Sequence, residues 1–343
     1  MNTSFRPLRW TLFEAAGGLL GLCLLGGCHA GDRPGKGGPW AVPELGMVMN
    51  WVPAGRGWIG STPEERAWAE GPEGMAPRSF FGDEGLNPRQ VIFKKGFWLG
   101  RTEVTVGQWR WFVEETGYRT EAEKRGESWC YDAATRRFGY MKGLDWQNAG
   151  FPFPLRENHP VTHVTWNDAA LFCVWLTARE QVAGRLPRGY EYRLPGEAEW
   201  EYACRGHGDR TFFWWGSEWT DGQGRMNGAG QDADESGTWD LAYPWEDGYK
   251  FIAPVDSFGL RGRNTLGLAD MLGNVWEWCL DGYDPQGGHA GHWTGRVNRR
   301  VLKGGAFDDR PGYLRCAVRA APSPDDPNFA RGFRVCLGVK VSP

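Results

Sequence analysis

No run in this chain of 343 residues is both long and apolar enough to cross a bilayer as a mature helix. The best, Ala15 to Leu25, has about half of the ~20 residues a spanning helix needs. There is no basic stripe either: charged residues make up 24% of the chain, both signs are mixed, and the net charge is −3. A nucleic-acid partner therefore has no electrostatic footing. Beyond Met47 neither a long linker nor a tandem repeat interrupts the chain, which favours one domain. No glycine-rich phosphate loop and no Ser-His-Asp arrangement is legible, so P-loop and serine-hydrolase chemistry lack support.

What is abundant is glycine (51), proline (22) and tryptophan (21). Together they point to a loop-rich fold in which large aromatic side chains supply much of the buried area. Helical signals are few. Thr105 to Gln108 has the form of a capping box, followed by Val106, Trp109, Phe112 and Val113 at helical spacing and a stop at Gly117. A second helix is expected from about Thr165 to Asp168 onward, with Ala169, Phe172, Cys173 and Leu176 on one face. A third spans about Glu197 to Cys204, between Pro195-Gly196 and Arg205-Gly206. Expected strands are Phe97–Glu103, Val301–Lys303, Leu314–Arg319 and Gly332–Val339, whereas 206–265 has turn residues throughout and almost no periodicity. The pattern predicts an irregular α+β single domain with low secondary-structure content.

The N-terminus reads as a targeting segment. Arg6 and Arg9 precede the short apolar stretch, and Leu25-Gly26-Gly27-Cys28 closes it with small residues before a cysteine. The run resembles a bacterial lipobox, so residues 1–27 are expected to be a signal peptide and Cys28 a lipidated anchor in a bacterial envelope membrane. Residues 28–44, rich in Gly and Pro, then form a flexible tether to a domain at 45–343 facing the periplasm or cell surface. In an exported chain the remaining Cys130, Cys173, Cys204, Cys279, Cys316 and Cys336 are disulfide candidates. Six cysteines allow 15 connectivities, and spacing alone does not choose among them.

Several phrases carry a family resemblance: Arg101-Thr-Glu-Val-Thr105, His159-Pro-Val-Thr-His-Val-Thr-Trp166, and Arg193-Leu-Pro-Gly-Glu-Ala-Glu-Trp-Glu-Tyr-Ala-Cys-Arg-Gly206. Gly267-Leu-Ala-Asp-Met-Leu-Gly-Asn-Val-Trp-Glu-Trp278, Lys303-Gly-Gly305 and Gly332-Phe-Arg334 follow. In order, over roughly 45–340, they resemble the formylglycine-generating, or sulfatase-modifying factor, family, whose members adopt a variant C-type-lectin fold. The resemblance implies disulfides Cys204–Cys316 and Cys173–Cys336, the second displaced by one residue. Such closures of more than one hundred residues are worth roughly 4–5 kcal/mol each on chain entropy. Cys130 and Cys279 stay open, as a third bridge or as two buried thiols. The resemblance also implies two structural calcium sites: one from Asp270, Gly273, Val275 and Glu277, the other from Asn227, Gly228, Asp247 and Tyr249. Oxygen-rich loops of this kind suit a hard cation.

The family's oxidases carry two cysteines five apart shortly after Arg/Lys-Gly-Gly-Ser, which bind copper and form a mixed disulfide with the substrate. Soft Cu(I) selects thiolates. This chain has no cysteine from 304 to 315, and Ala306 replaces the serine. Copper and formylglycine formation are therefore not expected. Other chemistry could use Asp308, Asp309, Arg310 and Arg315, with Arg319 and Glu277 nearby in the pattern, since arginines clamp carboxylates or phosphates bidentately. The alternative is that these residues form structural ion pairs. His159 and His163, and His289 and His292, are weaker metal candidates, and Trp276 or Trp278 could line a groove. Three functions remain open: a lipoprotein binding a peptide, glycan or protein partner; a periplasmic enzyme of different chemistry, as in pyoverdine-maturation oxidases; or a structural component of a cell-surface machine.

Overall fold

In a computed structural model the described residues are 34–35, 37–76, 84, 88–132, 134–206, 210–231, 243–284 and 298–341. They fall within one compact unit, Arg33–Pro343. Cys28, the leader before it, His289 and His292 lie outside the described residues.

Capping chemistry starts the main helices where expected. In α1 (Pro63–Glu70), the Thr62 hydroxyl accepts from the Glu65 amide. For α2 (Val106–Thr116), Thr105 and Gln108 satisfy each other's backbone amides and Gly117 ends the helix at φ 65°. The short α3 (Glu121–Arg125) and the long α4 (Trp166–Val182) repeat the device with Thr120/Glu123 and Thr165/Asp168. Their apolar stripes meet: Trp109 of α2 stacks on Phe172 of α4 with centroids 5.7 Å apart. Helix α5 (Glu197–Cys204) is buried on all sides.

Five strands form the main sheet in the order β1 (Trp40–Val42), β2 (Met47–Val52), β5 (Phe97–Gly100), β12 (Cys336–Val339), β8 (Tyr190–Arg193). A second sheet has β9 (Trp276–Gly282) between β10 (Arg300–Lys303) and β11 (Arg331–Gly332). Hairpins β3 (Gly55–Ile59)–β4 (Arg89–Phe93) and β6 (Glu127–Asp132)–β7 (Arg137–Lys142) complete the α+β fold.

Two strand expectations are corrected. Leu314–Arg319 is not a strand but a turning segment, bridged to Leu302 only at Ala320. The Arg315 Nε donates to the Gly312 carbonyl and the Val318 amide to the Arg315 carbonyl, so local turns take the bonds a ladder would need. Gly332–Val339 is two strands: β11 joins the small sheet, β12 the large one, and Arg334 between them donates to the carbonyls of Gly100, Arg101, Ala269 and Asp270.

All six described cysteines are buried, free thiols. The Cys204 and Cys316 sulfurs are 3.4 Å apart. Burial pushes the Cys336 thiol up, with Arg193, Glu199 and Cys173 as its charged or ionisable neighbours. Cys130 and Cys279 sit in different core clusters and do not form a pair.

Candidate functional site

Directly after the Lys303-Gly-Gly turn, the chain runs along a cavity of about 300 Å³. Aromatic rings wall it: Trp129 and Phe138 from the β6–β7 hairpin, Trp276 from β9, Tyr313 and Phe329. Its polar groups are Asp308, Asp309, Asn328 and Arg331, with no cysteine among the lining residues. The hairpin is held there by its own backbone, since the Trp129 amide donates to the Pro327 carbonyl and the Phe329 amide to the Trp129 carbonyl.

The two acids differ in their anchoring. Asp309 accepts from the Ala306 amide at 2.8 Å and from the Trp276 side chain. Burial, then the charge of Asp308, holds its carboxyl well above the usual range. Asp308 is half-buried; burial raises it to about 6, opposed by its own backbone amide and by Arg331. Both carboxyls are thus harder to ionise than a solvated aspartate. Arg331 itself is committed to Asp326 at 2.8 Å. Among the described residues neither Asp308 nor Asp309 has an ion-pair partner.

Of the arginines expected beside these acids, Arg310 acts electrostatically on Asp309 and Tyr313, whereas Arg315 and Arg319 are turned away. Arg315 is fully buried between Glu65 (2.7 Å) and Glu84 (2.5 Å). Arg319 pairs with Glu197 at 2.8 Å through Nε and lies over the Tyr283 ring. Arg310 donates to the Met75 carbonyl. Arg315 and Arg319 thus form structural ion pairs, the alternative the sequence left open for them. Trp276 lines the cavity, whereas Trp278 is core and donates to the Val164 carbonyl. His159 and His163 do not converge: His163 is enclosed between the Ser128 hydroxyl and the Ala149 carbonyl. His159 instead borders a second cavity of about 390 Å³ that has no carboxylate in its lining.

The calcium loops fit a hard cation unevenly. Both Glu277 oxygens are engaged, by Arg334 at 2.5 and 2.6 Å and by the Trp200 indole at 2.7 Å, so Glu277 is not a free ligand. Beside it Asp270 is raised by burial to about 6, and Glu103, with one oxygen unbonded, is raised further. Three buried acids thus face one guanidinium, a surplus of negative charge that suits a cation. In the other loop Asp247 accepts from the Gly228 and Tyr249 amides, and the buried Asn227 Oδ1 has no partner. That orphan oxygen fits the expected role of Asn227. The two loops interlock: a Cβ on Gly273 (φ 82°) would lie 2.0 Å from the Asn227 carbonyl oxygen. Among the described residues no three His, Cys, Asp or Glu side chains converge on one point, so such sites would depend on backbone oxygens.

The family model described as "Sulfatase-modifying factor enzyme 1-like domain" matches residues 45–338. The chain belongs to this family. It is 33% identical over 286 residues to the formylglycine-generating enzyme of Mus musculus, covering 73% of this chain and 68% of that one. It is also 30% identical over 279 residues to the inactive C-alpha-formylglycine-generating enzyme 2 of the same organism, covering 74% and 79%. Among solved structures, PvdO from Pseudomonas aeruginosa aligns with a TM-score of 0.63 at 22% identity, covering 89% of this chain and 99% of that one. That likeness shows a shared fold. Within this sulfatase-modifying factor domain, the aromatic cavity and its acid pair follow directly on the Gly-Gly turn. Trp129, Phe138, Tyr313, Asn328, Phe329 and Arg331 had not been singled out from the sequence. Asn328, Phe329 and Arg331 lie next to the Gly332-Phe-Arg334 phrase and Tyr313 lies near Asp308, whereas Trp129 and Phe138 have no such signal.

Proposed function

We propose that this chain is an exported, lipid-anchored member of the sulfatase-modifying factor family that recognises a partner in its groove without copper oxidase chemistry. One observation carries the reading: the groove beside Gly304-Gly305 presents carboxyl, amide and aromatic groups, and its lining includes no sulfur. Oxygen donors do not select Cu(I) as thiolates do. Anchoring rests on the Cys28 lipobox, and loop order on calcium at the Asn227/Asp247 and Asp270 loops. Peptides, glycans and proteins all meet concave aromatic surfaces of this kind. The test is titration of the purified domain with Cu(I), paired with an assay for oxidation of a sulfatase-type cysteine peptide. We expect no thiolate–copper charge-transfer signal and no aldehyde product; tight Cu(I) binding with turnover ends this reading.

The acid pair favours a second reading, an enzyme of different chemistry. Two neighbouring carboxyls raised unequally can hold and pass one proton, as general acid–base catalysis requires. Replacing both acids with Asn would abolish such an activity and leave simple shape recognition partly intact.

A further inference from the structure

The buried cations behind the groove are answered. Lys303 meets Glu201 at 3.0 Å, Arg334 meets Glu277, and Arg315 meets two glutamates. Asp308, like Asp309, has no cation bonded to it among the described residues and lines the cavity, but it lacks the tie to Ala306 and Trp276 that holds Asp309. Across the same cavity lies Asn328, 8% exposed, whose Oδ1 accepts from the Ala330 amide. Its Nδ2 donates to no described group although it lines the cavity. An amide donor at a cavity wall is open to a carbonyl acceptor of a ligand. Phe138, Phe329, Trp129 and Tyr313 supply ring faces, which carry partial negative charge and attract cations at about 6 Å or less.

We infer that this groove binds an organic ammonium group that carries a carbonyl a few bonds away, the lysine side chain of a peptide or protein partner. The inference rests on the recognition reading given above. The ammonium takes the Asp308 carboxylate and the ring faces, and the ligand carbonyl takes the Asn328 amide. Asp309 positions rather than contacts: tied to Ala306 and Trp276, it holds the Gly-Gly turn and the indole in place. A neutral sugar would also stack on the rings, yet it would leave the Asp308 charge unpaired. Chemistry therefore favours the amine.

Three ligands test this on the full chain at pH 7.5, followed by intrinsic tryptophan fluorescence and by calorimetry. Nα-acetyl-lysine methylamide is the probe, its norleucine counterpart the neutral isostere, and a neutral disaccharide the competing class. The lysine probe is expected to bind at least about tenfold more tightly than norleucine, a difference of about 1.4 kcal/mol, and to weaken as salt is raised. Asp308→Asn should remove that preference, Asn328→Ala should weaken lysine binding by several fold, and Phe138→Leu, at an exposed position, should do so with an unchanged melting curve. Equal binding of lysine and norleucine overturns the inference, as does an Asp308→Asn variant that keeps the preference. Disaccharide binding without lysine binding sinks the amine and spares the recognition reading; copper-dependent peptide oxidation sinks both.

Discussion

The groove and the scaffold behind it handle charge in opposite ways. Behind the Gly-Gly turn, Lys303, Arg315 and Arg334 are fully buried, and each is matched to carboxylates at 2.5–3.0 Å. In front of it, Asp308 and Asp309 stand side by side with no described cation bonded to either. Desolvated charge is tolerated when it is paired and hydrogen-bonded, and it is costly when it is not. A fold that satisfies three buried cations within a few ångströms and leaves two acids facing a cavity separates structure from recognition by compensation. The paired charges hold the loops, and the unpaired Asp308 is the group the lysine proposal assigns to a ligand.

The contrast breaks most severely at Arg334. Arg334→Leu strands Glu277 in the interior and removes donors from the carbonyls of Gly100, Arg101, Ala269 and Asp270. We expect a loss of about 3–5 kcal/mol in chemical denaturation. Pairing it with Glu277→Leu should recover a measurable part, and full additivity would show that the two do not act as an ion pair.

A smaller effect is expected at His163, which backs the pocket wall through its amide bond to the Asn328 carbonyl. Burial lowers its pKa from 6.5 to about 4. The unfolded chain therefore binds more protons than the native one between those values. The stability that His163 contributes is full above about 6.5 and is lost as pH falls toward 4. The expected loss is about 2 kcal/mol by pH 5 and about 3 by pH 4. Urea midpoints of the wild type and His163→Gln at pH 7 and pH 5 check it: the difference between the two proteins should shrink at the lower pH.

Smallest is the cost of neutralising the groove itself. Asp308 is raised to about 6, so it favours the fold below about pH 4 and loses that contribution as pH rises through about 6; Asp309 is raised in the same direction. At pH 7.5, Asp308→Asn should leave stability within about 1 kcal/mol of wild type, on the stabilising side. A loss of several kcal/mol would place Asp308 with the scaffold and erase the distinction drawn here.

Much of the architecture was legible in advance because local chemistry dictates it. The first two expected helices begin at their capping threonines, the third follows Pro195-Gly196, and Gly117 stops the first. Strand β10 lies where its apolar run predicts. Less was legible where side chains far apart in sequence decide the path. The Arg315 bonds to Gly312, Glu65 and Glu84 convert an apolar, strand-like run into turns, and no local pattern announces partners 250 and 231 residues away. Asp308 and Asp309 stood out in the sequence because they follow the Gly-Gly turn. Their aromatic surroundings did not, since Trp129 and Phe138 come from a distant hairpin whose strands lack clean alternation. The arginines were misplaced for a related reason: proximity in sequence says little about direction at a turn.

The position of β12 has a further consequence. This strand comes last in the chain yet lies inside the main sheet, hydrogen-bonded to β5 on one side and β8 on the other. Until β12 is in place β5 and β8 have nothing to join them, and the sheet stays split. Closing contacts of such long sequence separation is slow. Closure of the main sheet is thus expected to be a late step in the folding of this domain.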